Sequence, residues 1–219
     1  MSETVSVLLQ GNVDPAGIER RSMEIIEAEV PAPRPFSDEQ WLVVRRMIHA
    51  SADFEVLDLV AFHPEAVAAG VAALRAGSTI VTDTNMALAG IPRRRLEPLG
   101  CAARCLLDDP EVVADAAARG VTRALAAMDK TVDLTGDLIL VIGNAPTALL
   151  RCLELMAAGR LRPRLIIGMP VGFVNAAESK YLLMRQEATP YITLQGRKGG
   201  SSLAAAACNA LADMALGRE

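Results

Sequence analysis

Short apolar runs alternate with alanine-rich stretches of helical periodicity from Phe54 onward, and this alternation constrains the fold most. The helical stretches lie near 64–76, 110–128, 145–158, 175–187 and 201–216. The apolar runs predict strands at Phe54–Val60, Ser78–Thr82, Cys101–Leu107, Leu138–Ile142, Leu165–Gly168 and Tyr191–Leu194. Strand–helix alternation with short connections is typical of a parallel sheet covered on both faces. The sequence therefore predicts an α/β fold, a three-layer α/β/α domain with a mainly parallel sheet.

Two helices are predicted ahead of this alternating region. Asp14-Pro15 is an N-cap followed by proline at the first helical position, which indicates a helix start. Ser37–Gln40 spells a capping box that begins a second helix, expected to end near His49. We expect a single domain over residues 1–219. It has two parts, an N-terminal helical pair over 14–50 and an α/β body over 54–216.

Composition excludes several classes of protein. Of 219 residues, 52% are hydrophobic and only 3% aromatic, and the formal net charge is −4. The hydrophobic fraction argues against disorder, and the acidic balance argues against a dedicated nucleic-acid binder. No run of about 18 apolar residues predicts a membrane span, and the first residues lack a signal-peptide pattern. We expect a compact cytoplasmic protein.

The cysteines predict buried thiols and no metal site. Cys101 and Cys105 have C-x3-C spacing, but no second pair and no nearby histidine completes a zinc site. Cys152 and Cys208 are scattered through the rest of the chain. Reduced thiols in the cytosol are the expected state of all four.

Polar, glycine-rich loops follow several predicted strands, at 82–85, 143–147, 168–173 and 196–202. Ligands of open α/β sheets bind beyond the carboxyl ends of the strands. Ordinary turn chemistry explains one or two such loops, and all of them together favour a ligand edge. The last loop brings Arg197 and Lys198 to a helix start, where an anion can bind; solvated cations on a turn are the alternative. Phosphate-loop and dinucleotide fingerprints are absent, which disfavours a nucleotide-dependent enzyme.

A helical wheel places Arg45, Arg46 and His49 on one arc of the second helix. The opposite arc should face the core with Val43, Val44, Met47 and Ile48. One interpretation of the polar arc is a solvated face. The other is an imidazole beside guanidinium groups that binds an acidic compound and moves a proton.

Ser22 interrupts the apolar stripe of the first helix, four residues after Ile18 and four before Ile26. A hydroxyl bonded to a carbonyl of its own helix is the usual explanation of such a serine. A ligand contact is the other explanation. The spacing alone leaves both open.

Several segments match one family in order along nearly the whole chain. They are Ile18–Ser22, Arg46–Ala50, Val81–Ala87, Gly120–Arg123, Gly143–Leu149, Gly168–Val174, Ala176–Lys180 and Gly196–Ser201. Together they resemble precorrin-8X methylmutase, the precorrin isomerase of corrin-ring and cobalamin biosynthesis. The most specific blocks are GNAPTAL and GMPVGFV followed by AAESK.

The resemblance implies a homodimeric α/β isomerase without a cofactor of its own. Its reaction moves a methyl group from carbon 11 to carbon 12 of precorrin-8X or cobalt-precorrin-8, giving hydrogenobyrinate or cobyrinate. The family's catalytic histidine falls on His49, and its best-known substrate contacts fall on Ser22 and Arg46. Arg123 and Arg197 match basic positions expected near the carboxylates of the tetrapyrrole.

Two segments favour the cobalt-containing branch of the family. The run after His49 is Ala50–Phe54, whereas the metal-free branch typically has Cys-Gly after His-Ala. Thr82–Thr84 precedes Met86–Leu88, which also differs from that branch. Any cobalt would arrive inside the substrate. A carrier that sequesters a tetrapyrrole intermediate without converting it is the alternative function.

Overall fold

A computed structural model describes residues 15–218 and shows one six-stranded sheet. The strands are β1 (Val60–Phe62), β2 (Thr79–Thr82), β3 (Ala102–Cys105), β4 (Leu138–Ile142), β5 (Leu165–Gly168) and β6 (Tyr191–Leu194). Their order across the sheet is β1-β6-β5-β4-β2-β3. β1 is antiparallel to β6, and all other neighbours are parallel. The predicted α/β fold with a mainly parallel sheet is confirmed.

Helices connect the strands and also precede them. They are α1 (Pro15–Glu29), α2 (Asp38–Ser51), α3 (Val56–Leu59), α4 (Ala66–Arg75), α5 (Asn85–Ala89), α6 (Arg93–Leu96), α7 (Pro110–Arg119), α8 (Arg123–Lys130), α9 (Pro146–Ala157), α10 (Ala176–Arg185) and α11 (Ser201–Ala215). Short 3-10 turns follow α6 and α8, at Glu97–Leu99 and Thr131–Asp133.

The sheet separates two apolar cores because side chains alternate between the faces of a strand. All residues of β4 are buried. Ile139 and Val141 belong to the core under α2, α4 and α11, whereas Leu138, Leu140 and Ile142 belong to the core under α7, α8 and α9. A central strand buried on both faces is what a continuous aliphatic run in a parallel sheet predicts.

Helix α2 forms as its sequence predicts. Ser37 Oγ accepts the Gln40 N–H at 3.2 Å, and Gln40 Oε1 accepts the Ser37 N–H at 3.1 Å, which completes the capping box. The helix extends to Ser51, beyond the predicted end, and Ala52 closes it with a φ of 52°. The predicted N-cap of α1, Asp14, lies outside the described residues.

The first predicted strand, Phe54–Val60, is wrong in its bounds. Val56–Leu59 forms the short helix α3, and β1 begins only at Val60. The Asp53 carboxylate accepts the Glu55 N–H at 3.0 Å, a local turn that starts the helix. Val56 and Val60 are both buried at a spacing of four residues, which fits a helical turn.

The predicted helix over 110–128 is two helices. Gly120 follows α7 in the left-handed region with a φ of 65°, the conformation that ends many helices. Thr122 then caps α8, where its hydroxyl accepts the Leu125 N–H at 3.2 Å. Gly120 and Thr122 together divide the segment into two helices, whereas its apolar periodicity alone predicted one.

The carboxyl ends of β2 and β4 are tied together by the buried side chain of Asp83. Its carboxylate accepts the N–H groups of Gly143, Asn144 and Ala145 at 2.9, 2.8 and 2.7 Å. Burial raises the pKa of Asp83, and the three N–H donors oppose that rise. The loop that begins the GNAPTAL segment therefore has its shape fixed by one carboxylate.

Replacing Asp83 with Asn should lower the free energy of unfolding by about 1–3 kcal/mol, because an amide nitrogen would face buried N–H donors left without an acceptor. Urea denaturation measures the change. Asp137→Asn is the control, since Asp137 pairs with Arg164 at an exposed site, where substitutions change stability by about 0.5 kcal/mol at most. Equal midpoints for the Asp83 variant and the unchanged protein would contradict this role.

Candidate active site

His49 lies half-buried in a groove formed mainly by α2, α6 and α11. The groove is lined by Glu19, Arg46, His49, Ala50, Gly90, Arg94, Arg95, Ser202, Ala205, Ala206 and Asn209. Small residues of α11 and arginines of α2 and α6 contribute to this lining. The groove thus combines a titratable ring with cationic and apolar surfaces.

The packing of α2 explains why His49 faces this groove. Val43, Val44, Met47 and Ile48 are buried in the core, as the wheel predicts. The opposite arc is left to display the imidazole. Within residues 15–218 no side chain or backbone group hydrogen-bonds to either ring nitrogen of His49. Both nitrogens are therefore open to a bound compound.

Asp213 of α11 anchors two arginines beside His49. Its Oδ2 accepts from Arg46 Nη2 at 3.1 Å, and its Oδ1 accepts from Arg95 Nε at 2.8 Å. Arg46 Nη1 also donates to Glu19 of α1, and this hydrogen bond lowers the pKa of the Glu19 carboxyl. Both guanidinium groups are thus held in fixed positions.

Arg123 and Arg197 do not line the groove of His49. Arg123 Nη1 donates to Asp108 Oδ1 at 2.8 Å, close to the carboxyl ends of the strands. The Arg197 guanidinium lies 5.4 Å from the centre of the Phe173 ring. Arg123 and Arg197 are therefore separate from the pair of arginines, Arg46 and Arg95, that Asp213 holds.

Ser22 lies one helical turn after Glu19 and is half-buried. It does not line the groove either. Ile26, on the same predicted stripe, is buried, but Ile18 is 52% exposed. The predicted apolar stripe of α1 is therefore buried only towards its second half.

The loop at 196–200 is fixed by charged side chains on both sides. Lys198 Nζ donates to Asp53 Oδ2 at 2.6 Å and to Glu55. Lys198 is therefore paired with carboxylates, whereas the sequence analysis considered it for anion binding or as a solvated cation. The buried Lys180 donates to the backbone carbonyl of Lys198. Asp53 thus joins the segment after α2 to this loop.

Three of the four cysteines are buried thiols, as predicted, whereas Cys105 is only partly buried. Burial raises the pKa of Cys152 and Cys208 to about 12, and Cys101 Sγ donates to the Leu74 carbonyl at 3.1 Å. Within residues 15–218 no three His, Cys, Asp or Glu side chains converge as metal ligands would. Over the same residues no helix has the length and hydropathy needed to cross a membrane.

Comparison with known proteins identifies the family. Residues 17–214 match the family model of precorrin-8X methylmutase. The chain belongs to the precorrin-8X methylmutase family. The resemblance drawn from the sequence motifs is confirmed, and with it the prediction of an isomerase of cobalamin biosynthesis.

Relatives of the methylmutase family match along nearly their whole lengths. Cobalt-precorrin-8 methylmutase of Priestia megaterium is 43% identical over 93% of this chain and 89% of its own. Precorrin-8X methylmutase of Pseudomonas aeruginosa is 44% identical over 91% of this chain and 95% of its own. The crystal structure of precorrin-8X methylmutase from Thermus thermophilus superimposes with a TM-score of 0.85 at 44% identity, covering 93% of this chain and 98% of that one.

Three polar groove residues were not found by sequence reasoning. Arg94 and Arg95 belong to a run of arginines that is visible in the sequence, but nothing local places it beside His49. Asn209 Nδ2 donates to the Gly90 carbonyl at 2.8 Å, while its Oδ1 is buried with no donor in the described chain. Only the packing of α6 and α5 against α11 brings these side chains to the groove of His49.

The stability of the protein should depend on the titration of Lys180. Burial lowers the pKa of Lys180 to about 8, whereas an unfolded lysine titrates near 10.4. Between these values the unfolded state binds more protons, so this side chain makes stability rise with pH. We expect the free energy of unfolding of the unchanged protein to rise from pH 8 to 10 relative to that of Lys180→Met.

Urea denaturation across this pH range measures the difference. Lys130→Met is the control, because hydrogen bonds with Glu111 and Asp109 raise the pKa of Lys130 and move its titration above the range. A pH-independent difference between Lys180→Met and the unchanged protein would contradict the prediction.

Proposed function

We propose that the protein moves the methyl group of cobalt-precorrin-8 from carbon 11 to carbon 12 and so forms cobyrinate. The observation that carries the proposal is the half-buried His49, with open ring nitrogens, in a groove beside two anchored guanidinium groups. Membership of the methylmutase family supports the same reaction. The cobalt is part of the substrate, and the site of action is the cytoplasm.

His49 acts as the general acid/base. A methyl group shifts between adjacent ring carbons more readily when the conjugated system is made electron-poor, and protonation of a ring nitrogen does this. An imidazole can deliver and recover a proton near neutral pH. The groove leaves both nitrogens of His49 unpaired within residues 15–218, so either can face the macrocycle.

The substrate is a flat apolar macrocycle fringed with carboxylates, and its surroundings should be apolar with cationic rims. The α11 wall of Ala205 and Ala206 supplies an apolar surface, and Arg46 supplies a fixed cation. Arg123 and Arg197 would meet more distant carboxylates, and Ser22 would contact the substrate from α1. These roles follow from the family positions that the residues match.

The proposal favours the cobalt form of the substrate over the metal-free form. The support is the Ala50–Phe54 segment after His49, which differs from the Cys-Gly that typically follows His-Ala in the metal-free branch. Identity to relatives does not discriminate, since a cobalt-precorrin-8 enzyme and a precorrin-8X enzyme match at 43% and 44%. Faster turnover of metal-free precorrin-8X than of its cobalt form would overturn this part of the proposal.

Replacing His49 with Asn should reduce single-turnover conversion by about 10²–10⁴-fold, the usual contribution of a general acid/base group. Substrate binding, followed separately by absorbance, should change little because the ring lies on the polar arc of α2. His63→Asn is the control: His63 is the other histidine, and its Nδ1 accepts the Glu65 N–H at 3.1 Å outside the groove. Near-normal conversion by the His49 variant would place the acid elsewhere.

We also propose that the protein is a homodimer. Phe173 and Val174 are 83% and 77% exposed, and Tyr181 and Leu182 of α10 add further exposed apolar area. Such exposed apolar groups often mark an interface between proteins. Phe173 and Val174 follow β5 at the carboxyl edge of the sheet. A partner subunit that covers them would lie close to the proposed substrate-binding loops.

Light scattering should report twice the 23.2 kDa chain mass at micromolar concentration. Phe173→Asp should shift the mass toward that of one chain, because a charge at a dry interface is costly. Exposed Val113 lies on α7, so Val113→Asp is the control and should leave the mass unchanged. A fully active single chain at that concentration would contradict the dimer.

A further inference from the structure

Arg95 differs from the other arginines of the groove in being anchored and open at the same time. Its side chain is only 13% exposed, and its Nε is held by Asp213 at 2.8 Å. Within residues 15–218 neither of its terminal nitrogens has a hydrogen-bond partner, and neither is sealed from solvent. The two terminal nitrogens form the planar fork that binds a carboxylate bidentately.

We propose that Arg95 is the main carboxylate-binding residue next to His49, and that Asp213 is the residue that positions it. The inference rests on the proposed function, because it assigns the ligand to a carboxylate side chain of the tetrapyrrole. It adds to that function a residue that matches no motif used to recognise the family.

The neighbouring arginines are less suited to this role. Arg46 already donates one terminal nitrogen to Glu19 and the other to Asp213. Arg94 also lines the groove, but it is exposed and has no anchoring hydrogen bond within the described chain. An exposed arginine loses side-chain entropy on binding, whereas a held guanidinium has already lost it. Arg95 is therefore the preorganised position.

Asp213 holds the guanidinium groups of Arg46 and Arg95 close to each other. Two guanidinium groups side by side repel each other, and one carboxylate that accepts from both reduces that repulsion. Its Oδ1 accepts from Nε of Arg95, and Asp213 makes no hydrogen bond with either terminal nitrogen of that arginine. Because Asp213 itself does not line the groove of His49, its effect on binding would act through the arginines.

The experiment is a titration of the full-length protein with cobalt-precorrin-8, followed by the visible spectrum of the macrocycle at several salt concentrations. Arg95→Gln should raise Kd roughly tenfold to a hundredfold, the range for loss of hydrogen bonds to a charged group. It should also weaken the dependence of Kd on salt, since one charge pair is lost. Arg95→Lys keeps the charge but lacks the planar fork. At low salt its Kd should lie between those of the unchanged protein and Arg95→Gln.

Asp213→Asn should raise Kd in the same direction while leaving the salt dependence of the arginine charges in place. Arg93→Gln is the matched control, since Arg93 begins the same short helix, is exposed and does not line the groove. Thermal unfolding of each variant separates loss of binding from loss of folding. If Arg95→Gln unfolds at room temperature, the comparison of Arg95→Lys with Arg93→Lys decides the proposal.

An unchanged Kd and an unchanged salt dependence in the folded Arg95 variants would overturn the assignment. That result is distinct from failure of the proposed function. If the unchanged protein binds cobalt-precorrin-8 but does not convert it, the methyl shift is wrong, and the Kd values still decide whether Arg95 holds a carboxylate.

Discussion

The close seating of α11 against the carboxyl edge of the sheet is the constraint on which the site depends. A Cβ atom at Gly143 would lie 2.6 Å from the Cα of Ser201, so only glycine permits this approach. Thr84 Oγ1 and Ser201 Oγ are 2.8 Å apart and join the loop after β2 to the helix start. At the other side a Cβ at Gly90 would lie 2.8 Å from Ala205 Cβ. The approach to Gly90 explains why position 205 of α11 has a small side chain.

The same helix carries the polar groups of the site. Asp213 holds Arg46 and Arg95 from the C-terminal half of α11, and Asn209 is tied to the Gly90 carbonyl. Because α2 packs on α11 with its apolar face, His49 meets these groups across one groove. A shift of α11 would therefore move the guanidinium groups relative to the imidazole. The small residues of α11 and the fixed loops at its start thus maintain the geometry of the groove.

Local signals predicted the parts of the fold that local interactions determine. The capping box of Ser37 and the wheel of α2 were sufficient for that helix and its buried face. The continuous apolar run of β4 was sufficient to predict a strand at that position. The Phe54–Val60 strand failed because the turn at Asp53 competes with the apolar pattern, and the 110–128 helix failed because Gly120 ends it.

For the site, the sequence predicted what lies on one helix. Arg46 and His49 are three residues apart on α2, so their proximity needs no tertiary information. Arg95 is 46 positions along the chain from His49 by residue number, and its role depends on the anchor supplied by α11. Ser22, Arg123 and Arg197 match family positions but lie outside this groove. A residue type and its spacing cannot show which of several sites on a sheet edge a side chain joins.

The most direct test of the central claim is the amount of cobalt-precorrin-8 that a small amount of protein converts. Protein is mixed with a large excess of substrate, and the visible spectrum and the product are followed until the change stops. The proposal predicts conversion of many equivalents to cobyrinate. A spectral change that stops at one equivalent per site, with no cobyrinate formed, would contradict it and indicate a tetrapyrrole carrier.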